Sequence, residues 1–228
     1  MILKYYQKID DALSYLFSSV CDEKKLIRSI FGKTPITYVD IGTNEGNFLE
    51  FLLKFCNLKK IYCYEPIDDL ANRLRKKYYQ KNIFVSNLAL SNTTSLKNFY
   101  EYNISSQSSI YKQNNTFKSL KDLKKISKIK TVFFDREFNN NFKIDFCKID
   151  VQGEEVNVLK GMKRNLKQKK IKLLKIEISF IERYKGVKSN FVQIITYLQK
   201  FNYNLISISK IKYKNNKILL MDAYFLSK

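Results

Sequence analysis

The chain is 228 residues long and 45% hydrophobic, which suits one domain with a single apolar core. Its 42 lysine and arginine residues outnumber 21 aspartate and glutamate residues, so the formal net charge is +21. Such a charge is typical of proteins that bind nucleic acid, an anionic glycan or an acidic membrane surface. However, the lysines are dispersed and accompany frequent Asn, Ile, Tyr and Phe, a pattern that codon bias in an AT-rich genome also produces, so charge alone assigns no partner.

The sequence contains no histidine. This excludes the usual imidazole metal ligand and the nucleophile systems of the Ser-His and Cys-His types. The four cysteines lack C-x-x-C spacing, so neither a disulfide framework nor a metal site is predicted. The sequence has no run of about 20 apolar residues and no apolar signal segment, which predicts a cytoplasmic protein without a membrane span.

Residues 1–35 are predicted to form an N-terminal helical extension that precedes a domain over 36–228. Apolar residues recur at helical spacing within this segment, for example Leu13, Leu16 and Phe17. We expect one or two helices that pack on the edge of the sheet or on another subunit. The second arrangement predicts a homo-oligomer.

From residue 36 onward, strand-like and helix-like segments alternate, which predicts a doubly wound α/β fold with a mostly parallel sheet. The predicted strands are 36–41, 61–65, 82–87, 146–149 and 173–178, and the predicted helices are 46–56, 67–80, 154–166 and 191–201. Two further strands, 204–209 and 217–225, should form an antiparallel hairpin, which gives seven strands with a reversed strand near the C-terminus. The stretch 91–141 breaks the alternation, and an irregular insert of this length is usually a lid or substrate-binding element.

The strand 36–41 runs into a turn bracketed by Gly42 and Gly46, which permits a sharp bend and a close approach to a ligand. Glu65 follows 23 residues after Gly42, at the end of the next strand, where a carboxylate can accept both hydrogen bonds of a ribose diol. Asn44 replaces the middle glycine of the dinucleotide pattern G-x-G-x-x-G. The turn therefore favours a nucleoside cofactor without phosphates over a dinucleotide, and an ordinary strand–helix turn is the other alternative.

Asp40-x-Gly42 followed by an acidic strand end resembles the S-adenosylmethionine (SAM) site of Rossmann-like methyltransferases. Over residues 36–180, the order of several segments is similar to that of the FkbM family of methyltransferases. These segments are Asp40-Ile-Gly42-Thr-Asn-Glu-Gly46, Tyr64-Glu65-Pro66, Asn87-Leu-Ala89-Leu90-Ser91, Ser105-Ser-Gln-Ser108-Ser109, Lys148-Ile-Asp150-Val-Gln-Gly153-Glu-Glu155 and Lys175-Ile-Glu177-Ile. The resemblance implies a class I methyltransferase fold, SAM as cofactor, and O-methylation of hydroxyls on sugars, glycans or natural products. The chain departs from the family at Gln152, where glutamate is usual, and at Glu154, where a small residue is usual.

The resemblance assigns cofactor binding to the glycine turn and to the ends of the neighbouring strands. The residues are Asp40, Gly42, Thr43, Asn44, Gly46, Glu65, Pro66, Asn87, Leu88 and Asp150. Glu65 is expected to bind the ribose, and Asn87 and Leu88 the adenine ring. Asp40 either organises the turn or reaches the ammonium group of the cofactor.

Methyl transfer from a sulfonium requires an aligned acceptor hydroxyl and the removal of its proton. Because histidine is absent, the base is expected to be a carboxylate, and Asp150, Glu155 and Glu177 are the candidates. Lys148 or a tyrosine is an alternative, and the sequence does not choose among them. Ser108 and Ser109 have small hydroxyls that suit hydrogen bonding to a polyol acceptor.

Three other functions remain open. An RNA ribose 2′-O-methyltransferase is one, because Lys148, Asp150, Lys175 and Glu177 supply the residue types of a Lys-Asp-Lys-Glu tetrad, although at compressed spacing. Isoleucine follows both prolines of the chain, which excludes the Pro-Pro-Tyr and Pro-Cys motifs of base methylation. A SAM-binding module without turnover is the second alternative, and an NAD-dependent oxidoreductase is the third.

Overall fold

The computed structural model describes residues 22–79, 82–114, 123–138, 142–188 and 190–228. The predicted N-terminal extension therefore lies largely outside the described residues. Its described part is a helix, α1 (Glu23–Phe31), and the Asp22 carboxylate accepts hydrogen bonds from the backbone N–H groups of Lys24 and Lys25 at its start. Within the described ranges, no helix is long and apolar enough to cross a membrane.

The described part of the chain contains ten strands and six further helices. The strands are β1 (Ile36–Ile41), β2 (Leu58–Tyr64), β3 (Ile83–Ser86), β4 (Ala89–Ser91), β5 (Ser95–Tyr102), β6 (Leu123–Phe133), β7 (Ile144–Ile149), β8 (Ile171–Ser179), β9 (Tyr203–Lys214) and β10 (Lys217–Ser227). The helices are α2 (Asn47–Leu53), α3 (Asp68–Lys77), α4 (Phe134–Glu137), α5 (Glu155–Gly161), α6 (Lys163–Lys167) and α7 (Phe191–Gln199). The helix predicted over 154–166 is thus two short helices that meet at Met162.

Seven strands form the central sheet in the order β3-β2-β1-β7-β8-β10-β9. The first five are parallel, whereas β10 is antiparallel to both β8 and β9. This confirms the predicted α/β fold with its reversed C-terminal strand. Strand order reverses between β1 and β7, so the loops that leave these two strands diverge and form a crevice at the carboxyl edge of the sheet.

Both faces of the sheet are buried, as the apolar sequence of β1 requires. Tyr38 and Phe146 pack together on one face, with ring centroids 5.3 Å apart, and α1 covers them with Ile27 and Phe31. The alternate residues of the same strands, including Val39, belong to the core on the other face. Rigid apolar layers on both sides hold the strand ends that carry the polar residues of the crevice.

The described part of the insert 91–141 is more regular than the sequence predicts. β5 and β6, which lie within it, form a second sheet with β4, in the order β4-β6-β5. On its inner face, Phe99 and Ile129 pack against Ile67 and Leu70 at the start of α3. The sequence predicts only the end of β6, as a strand-like segment over 131–134, because the four lysines of residues 124–130 make the rest of the strand read as a basic run. The second sheet forms one wall of the crevice.

Candidate active site

A pocket of about 700 Å³ opens at the carboxyl ends of β1, β2 and β7. Open α/β sheets bind ligands at this place. The sequence-predicted residues that line the pocket are Gly42, Asn44, Glu65, Pro66, Leu88, Ser108 and Asp150. Four other predicted cofactor residues, Asp40, Thr43, Gly46 and Asn87, do not line this pocket.

The turn after β1 packs backbone to backbone against the turn after β7. Gly42 has a φ of +78°, and a Cβ atom built on it would lie 1.9 Å from the carbonyl oxygen of Asp150. Only glycine permits this approach. At the far end of the turn, Gly46 precedes α2 with a φ of +85°. The base of the pocket is therefore formed by backbone, which leaves room for a ligand.

Glu65 is buried at the side of the pocket, and its carboxylate is fixed from two directions. One oxygen accepts a hydrogen bond from the backbone N–H of Asn44 (2.7 Å), and the other accepts one from Ile67 (2.9 Å). Burial raises the pKa of Glu65 to about 7, although both hydrogen bonds lower it. An ionised carboxylate offers about four acceptor sites, so capacity for a ribose diol remains and two further donors would favour the charged form.

Next to Glu65, apolar side chains supply a place for a flat ring. Ile67, Leu88 and Val151 all line this part of the pocket. Asn87 instead points to the backbone, since its side-chain amide donates to the carbonyl oxygens of Glu65 (3.1 Å) and Pro66 (3.0 Å). Asn87 thereby fixes the loop after β2.

Asp40 and Thr43 lie behind the pocket and shape its base. The Lys148 Nζ is 3.2 Å from the Asp40 carboxylate, 2.9 Å from the carbonyl oxygen of Gly42 and 3.5 Å from the Asp150 carboxylate. The Thr43 hydroxyl donates to the carbonyl oxygen of Asp40 (3.0 Å). One buried ammonium group therefore connects the two loops that meet at the switch point.

A second cavity, a cleft of about 1100 Å³, adjoins the pocket. Asp150 lines both cavities, and Glu177 lines the cleft. The Gln152 side-chain amide donates to the carboxylates of Asp150 (2.6 Å) and Glu177 (3.2 Å), and its oxygen accepts a hydrogen bond from the Tyr184 hydroxyl (2.9 Å). Arg183 lies 3.0 Å from the Glu177 carboxylate. Two of the three predicted catalytic carboxylates are therefore held together by a neutral donor.

The two carboxylates titrate differently because their neighbours differ. Burial raises the pKa of Asp150, but the positive charges of Lys148 and Lys175 outweigh it, so the pKa is lowered overall. Burial and the negative charge of Asp150 raise the pKa of Glu177 well above its usual range, against the opposing charge of Arg183. Asp150 is therefore the carboxylate that stays ionised.

Glu155, the third predicted catalytic carboxylate, lines neither the pocket nor the cleft. Its oxygens accept hydrogen bonds from the backbone N–H groups of Val151 (3.2 Å) and Gly153 (3.0 Å) and from the Asn190 side chain (3.1 Å). Burial raises the pKa of Glu155 to about 7. In the structure, this side chain fixes the loop after β7.

Glu154 lines the pocket and connects it to the second sheet, a role that the sequence did not suggest. Its carboxylate accepts hydrogen bonds from four side chains: those of Ser91 (2.5 Å), Lys97 (3.1 Å), Tyr111 (2.6 Å) and Asn157 (3.0 Å). Glu154, where the family usually has a small residue, therefore connects the second sheet to the start of α5.

The serine-rich loop lines the pocket with Ser105 and Ser106 as well as the predicted Ser108. Ser105 donates to the side-chain oxygen of Asn44 (2.7 Å), and Ser106 lines both cavities. Ser108 lines the pocket, and its hydroxyl accepts a hydrogen bond from the backbone N–H of Tyr102. Ser109 is fully buried behind the wall and donates to the carbonyl oxygen of Gln152. The sequence did not show which members of the serine run face the cavities.

The strand order, the glycine turn at the switch point and the buried carboxylate after the second strand define the class of Rossmann-like methyltransferases. Residues 40–205 match the profile of the methyltransferase FkbM domain. The match covers well over half of the chain, and the chain therefore belongs to the methyltransferase FkbM family, whose cofactor is SAM.

Solved structures share this fold at low sequence identity. The methyltransferase FkbM from Methylobacillus flagellatus is 17% identical, with a TM-score of 0.57 over 92% of this chain and 47% of that chain. The methyltransferase domain of bacterial CtHen1-C is 11% identical, with a TM-score of 0.52 over 90% of this chain and 94% of that one. This chain spans about half the length of the FkbM structure that it matches. The comparison with curated proteins finds no match.

Proposed function

We propose that the protein is a SAM-dependent O-methyltransferase that acts on a hydroxyl of a sugar, a glycan or a natural product. One observation carries this proposal: Asp150 lines both the pocket that suits the cofactor and the cleft beside it. A carboxylate therefore stands where a methyl donor and an acceptor would meet. Membership of the FkbM family supports methyl transfer as the reaction.

The pocket residues fit SAM. Glu65 would hold the ribose hydroxyls, Leu88 and Ile67 would enclose the adenine ring, and the backbone around Gly42 would receive the amino-acid end. SAM supplies a methyl group that its sulfonium already activates, so the protein has to align the acceptor and remove a proton.

We assign Asp150 as the general base that removes the proton of the acceptor hydroxyl. Its lowered pKa keeps it ionised, so it can accept a hydrogen bond from the acceptor hydroxyl and orient the oxygen before attack. It would then take the hydroxyl proton as the oxygen–carbon bond forms and the carbon–sulfur bond to the SAH leaving group breaks, a contribution of about 10²–10⁴-fold for a general base. Glu177 acts on Asp150 through Gln152 and through its own charge.

The lining of the cleft suits a hydroxyl-rich acceptor. Asp150 and Glu177 offer oxygens to hydroxyl donors, Asn47 offers both a donor and an acceptor, and the Phe48 ring gives an apolar surface. Alternation of hydrogen-bonding groups with an aromatic face matches the alternation of hydroxyls and C–H groups on a sugar ring. This supports a saccharide acceptor.

RNA ribose 2′-O-methylation is the second candidate, because Lys148, Asp150, Lys175 and Glu177 all line the same cleft. The contacts argue against it. Burial lowers the pKa of Lys148, but the charges of Asp40 and Asp150 outweigh burial and raise it, so the ammonium group is a poor base. Lys175 is buried in ion pairs with Glu23 and Asp222. Neither lysine is free to take a proton.

Incubation with labelled SAM and separate pools of oligosaccharides, nucleotide sugars, small natural products and RNA tests the proposal. We expect label in a hydroxyl-bearing saccharide or natural product. Label in RNA alone would contradict the proposal. SAH binding in calorimetry without transfer to any pool would favour a SAM-binding module without turnover.

We expect Glu65→Gln to weaken SAH binding about 10- to 100-fold in calorimetry, since a charge-assisted hydrogen bond contributes about 1.5–3 kcal/mol. The amide keeps the shape of the side chain but turns a donor group toward one of the two backbone N–H groups that Glu65 accepts from. Glu182→Gln, an equal charge change at an exposed position that lines neither cavity, serves as the control and should leave SAH affinity unchanged. Unaltered affinity in Glu65→Gln would refute the ribose assignment.

A further inference from the structure

The hairpin of β9 and β10 extends beyond the rest of the central sheet. β8 ends at Ser179, which pairs with Leu220, whereas β9 and β10 continue to pair through Tyr213 with Ile218 and Lys214 with Lys217. The tip, residues 210–218, lies at the carboxyl edge of β8, the edge that carries Glu177, and projects past β8 from Tyr213 onward. It therefore stands over the cleft, and two of its residues line that cleft.

The tip is strongly basic. Its sequence is Lys-Ile-Lys-Tyr-Lys-Asn-Asn-Lys-Ile, with four lysines and no acidic residue. Lys210 and Lys212 line the cleft. Lys210 is 3.1 Å from the Glu23 carboxylate, while Lys212 is exposed and makes no ion pair with the residues described. An unpaired ammonium group at the edge of a binding cleft is available to a ligand.

The lysines at the bottom of the same cleft are neutralised by ion pairs, as Lys210 is by Glu23 (3.1 Å) and Asp222 (3.8 Å). Lys175 is buried and makes ion pairs with Asp222 and, at 3.3 Å, with Glu23. Lys148 pairs with Asp40 (3.2 Å) and Asp150 (3.5 Å). Among the cleft-lining lysines of the described residues, Lys212 alone makes no ion pair, and it lies at the rim of the cleft.

We propose that Lys212, assisted by Lys210, binds an anionic group on the acceptor, so that the substrate is a saccharide bearing a phosphate or a carboxylate. This inference rests on the proposed function. The hydroxyl to be methylated would face Asp150 at the bottom of the cleft while the anionic group faces the tip. Oxyanions of both kinds form charge-assisted hydrogen bonds with a lysine ammonium.

Binding of defined probes to the full chain, with SAH present, tests anion binding by Lys212 without requiring turnover. The probes are glucose 1-phosphate, glucuronate and glucose, titrated by calorimetry at low salt. We expect at least one anionic probe to bind about fivefold to tenfold tighter than glucose, with the advantage lost in high salt. The phosphate and carboxylate probes distinguish the two sources of the charge.

The Lys212→Gln variant should remove most of the preference for the anionic probe, and Lys210→Gln should reduce it further. Lys128→Gln is the matched control, since Lys128 is an exposed strand lysine on β6 that lines neither cavity. The inference is overturned if no anionic probe binds tighter than glucose, or if Lys212→Gln and Lys128→Gln weaken it equally.

The outcomes separate this inference from the proposed function. Methyl transfer to a neutral saccharide, with a KM that Lys212→Gln leaves unchanged, would support the O-methyltransferase function. The same result would overturn anion binding by Lys212. If the anionic probe binds through Lys212 but no hydroxyl acceptor is methylated, anion binding by Lys212 is supported. The O-methyltransferase function is then contradicted. If Lys128→Gln weakens RNA binding as much as Lys212→Gln does, the lysines bind RNA through general basicity. That result would overturn the assignment of Lys212 to an anionic group of the acceptor.

Discussion

The Gly42→Ala variant should lose about 3 kcal/mol or more of unfolding free energy and should no longer bind SAH. Two costs combine at this position. The φ of +78° disfavours any residue with a Cβ by about 1–2 kcal/mol. The added carbon would also lie 1.9 Å from the Asp150 carbonyl oxygen, so the two turns would have to separate. Their separation would displace the backbone that forms the base of the pocket.

Gly186→Ala is the matched control for this variant. Gly186 has the same φ of +78°, but nothing lies within 4 Å of a Cβ built on it. Urea unfolding of both variants therefore separates the backbone cost from the steric cost, and we expect Gly186→Ala to lose only about 1–2 kcal/mol. Equal losses would show that the contact between the two turns adds nothing.

The glycine turn and Glu65 were predictable because local sequence determines them. The composition of β1, with β-branched and aromatic residues, predicts a buried strand. The glycines that follow it predict a turn with positive φ, and the spacing to Glu65 predicts a carboxylate at the end of the next strand. The mostly parallel arrangement of the sheet also follows from the alternation of strands and helices. These features predict a ligand site at the strand ends without any knowledge of distant contacts.

The roles of Asp40 and Glu155 were not predictable in the same way, because they depend on partners far along the chain. Asp40 pairs with Lys148, which is 108 residues away, and Glu155 accepts a hydrogen bond from Asn190, 35 residues away. An acidic residue at a strand end or in the first turn of a helix looks the same in sequence whether it faces a ligand or a buried partner. Only the packing of the loops separates these cases.

The departures from the family at Gln152 and Glu154 have structural explanations. Glutamate at position 152 would place a third carboxylate next to Asp150 and Glu177, whereas the amide donates to both of them. Glu154 has four donors, so its burial is compensated. Neither change leaves an unpaired charge in the crevice, and both are compatible with a catalytically active site.

We expect Asp150→Asn to lower kcat about 10²–10⁴-fold while leaving SAH affinity nearly unchanged. Asparagine can still accept the hydrogen bond from Gln152, and Lys148 keeps its contacts with Asp40 and Gly42, so the fold should survive. What is lost is the acceptor for the hydroxyl proton. The measurements are single-turnover methyl transfer and SAH calorimetry, with the exposed Asp69→Asn as the control. A variant that retains most of its kcat would exclude Asp150 as the base.

The pH dependence distinguishes Glu177 from Asp150. Because the pKa of Glu177 is raised, this group is protonated at the acidic end of the range and becomes negative as pH rises. Its charge then increases the proton affinity of Asp150, so methyl transfer should accelerate as pH increases through the pKa of Glu177. Glu177→Gln stays neutral at every pH and should flatten this limb of the profile. An unchanged limb in Glu177→Gln would assign it to another group, such as Glu65 or Glu155, whose pKa values are both about 7.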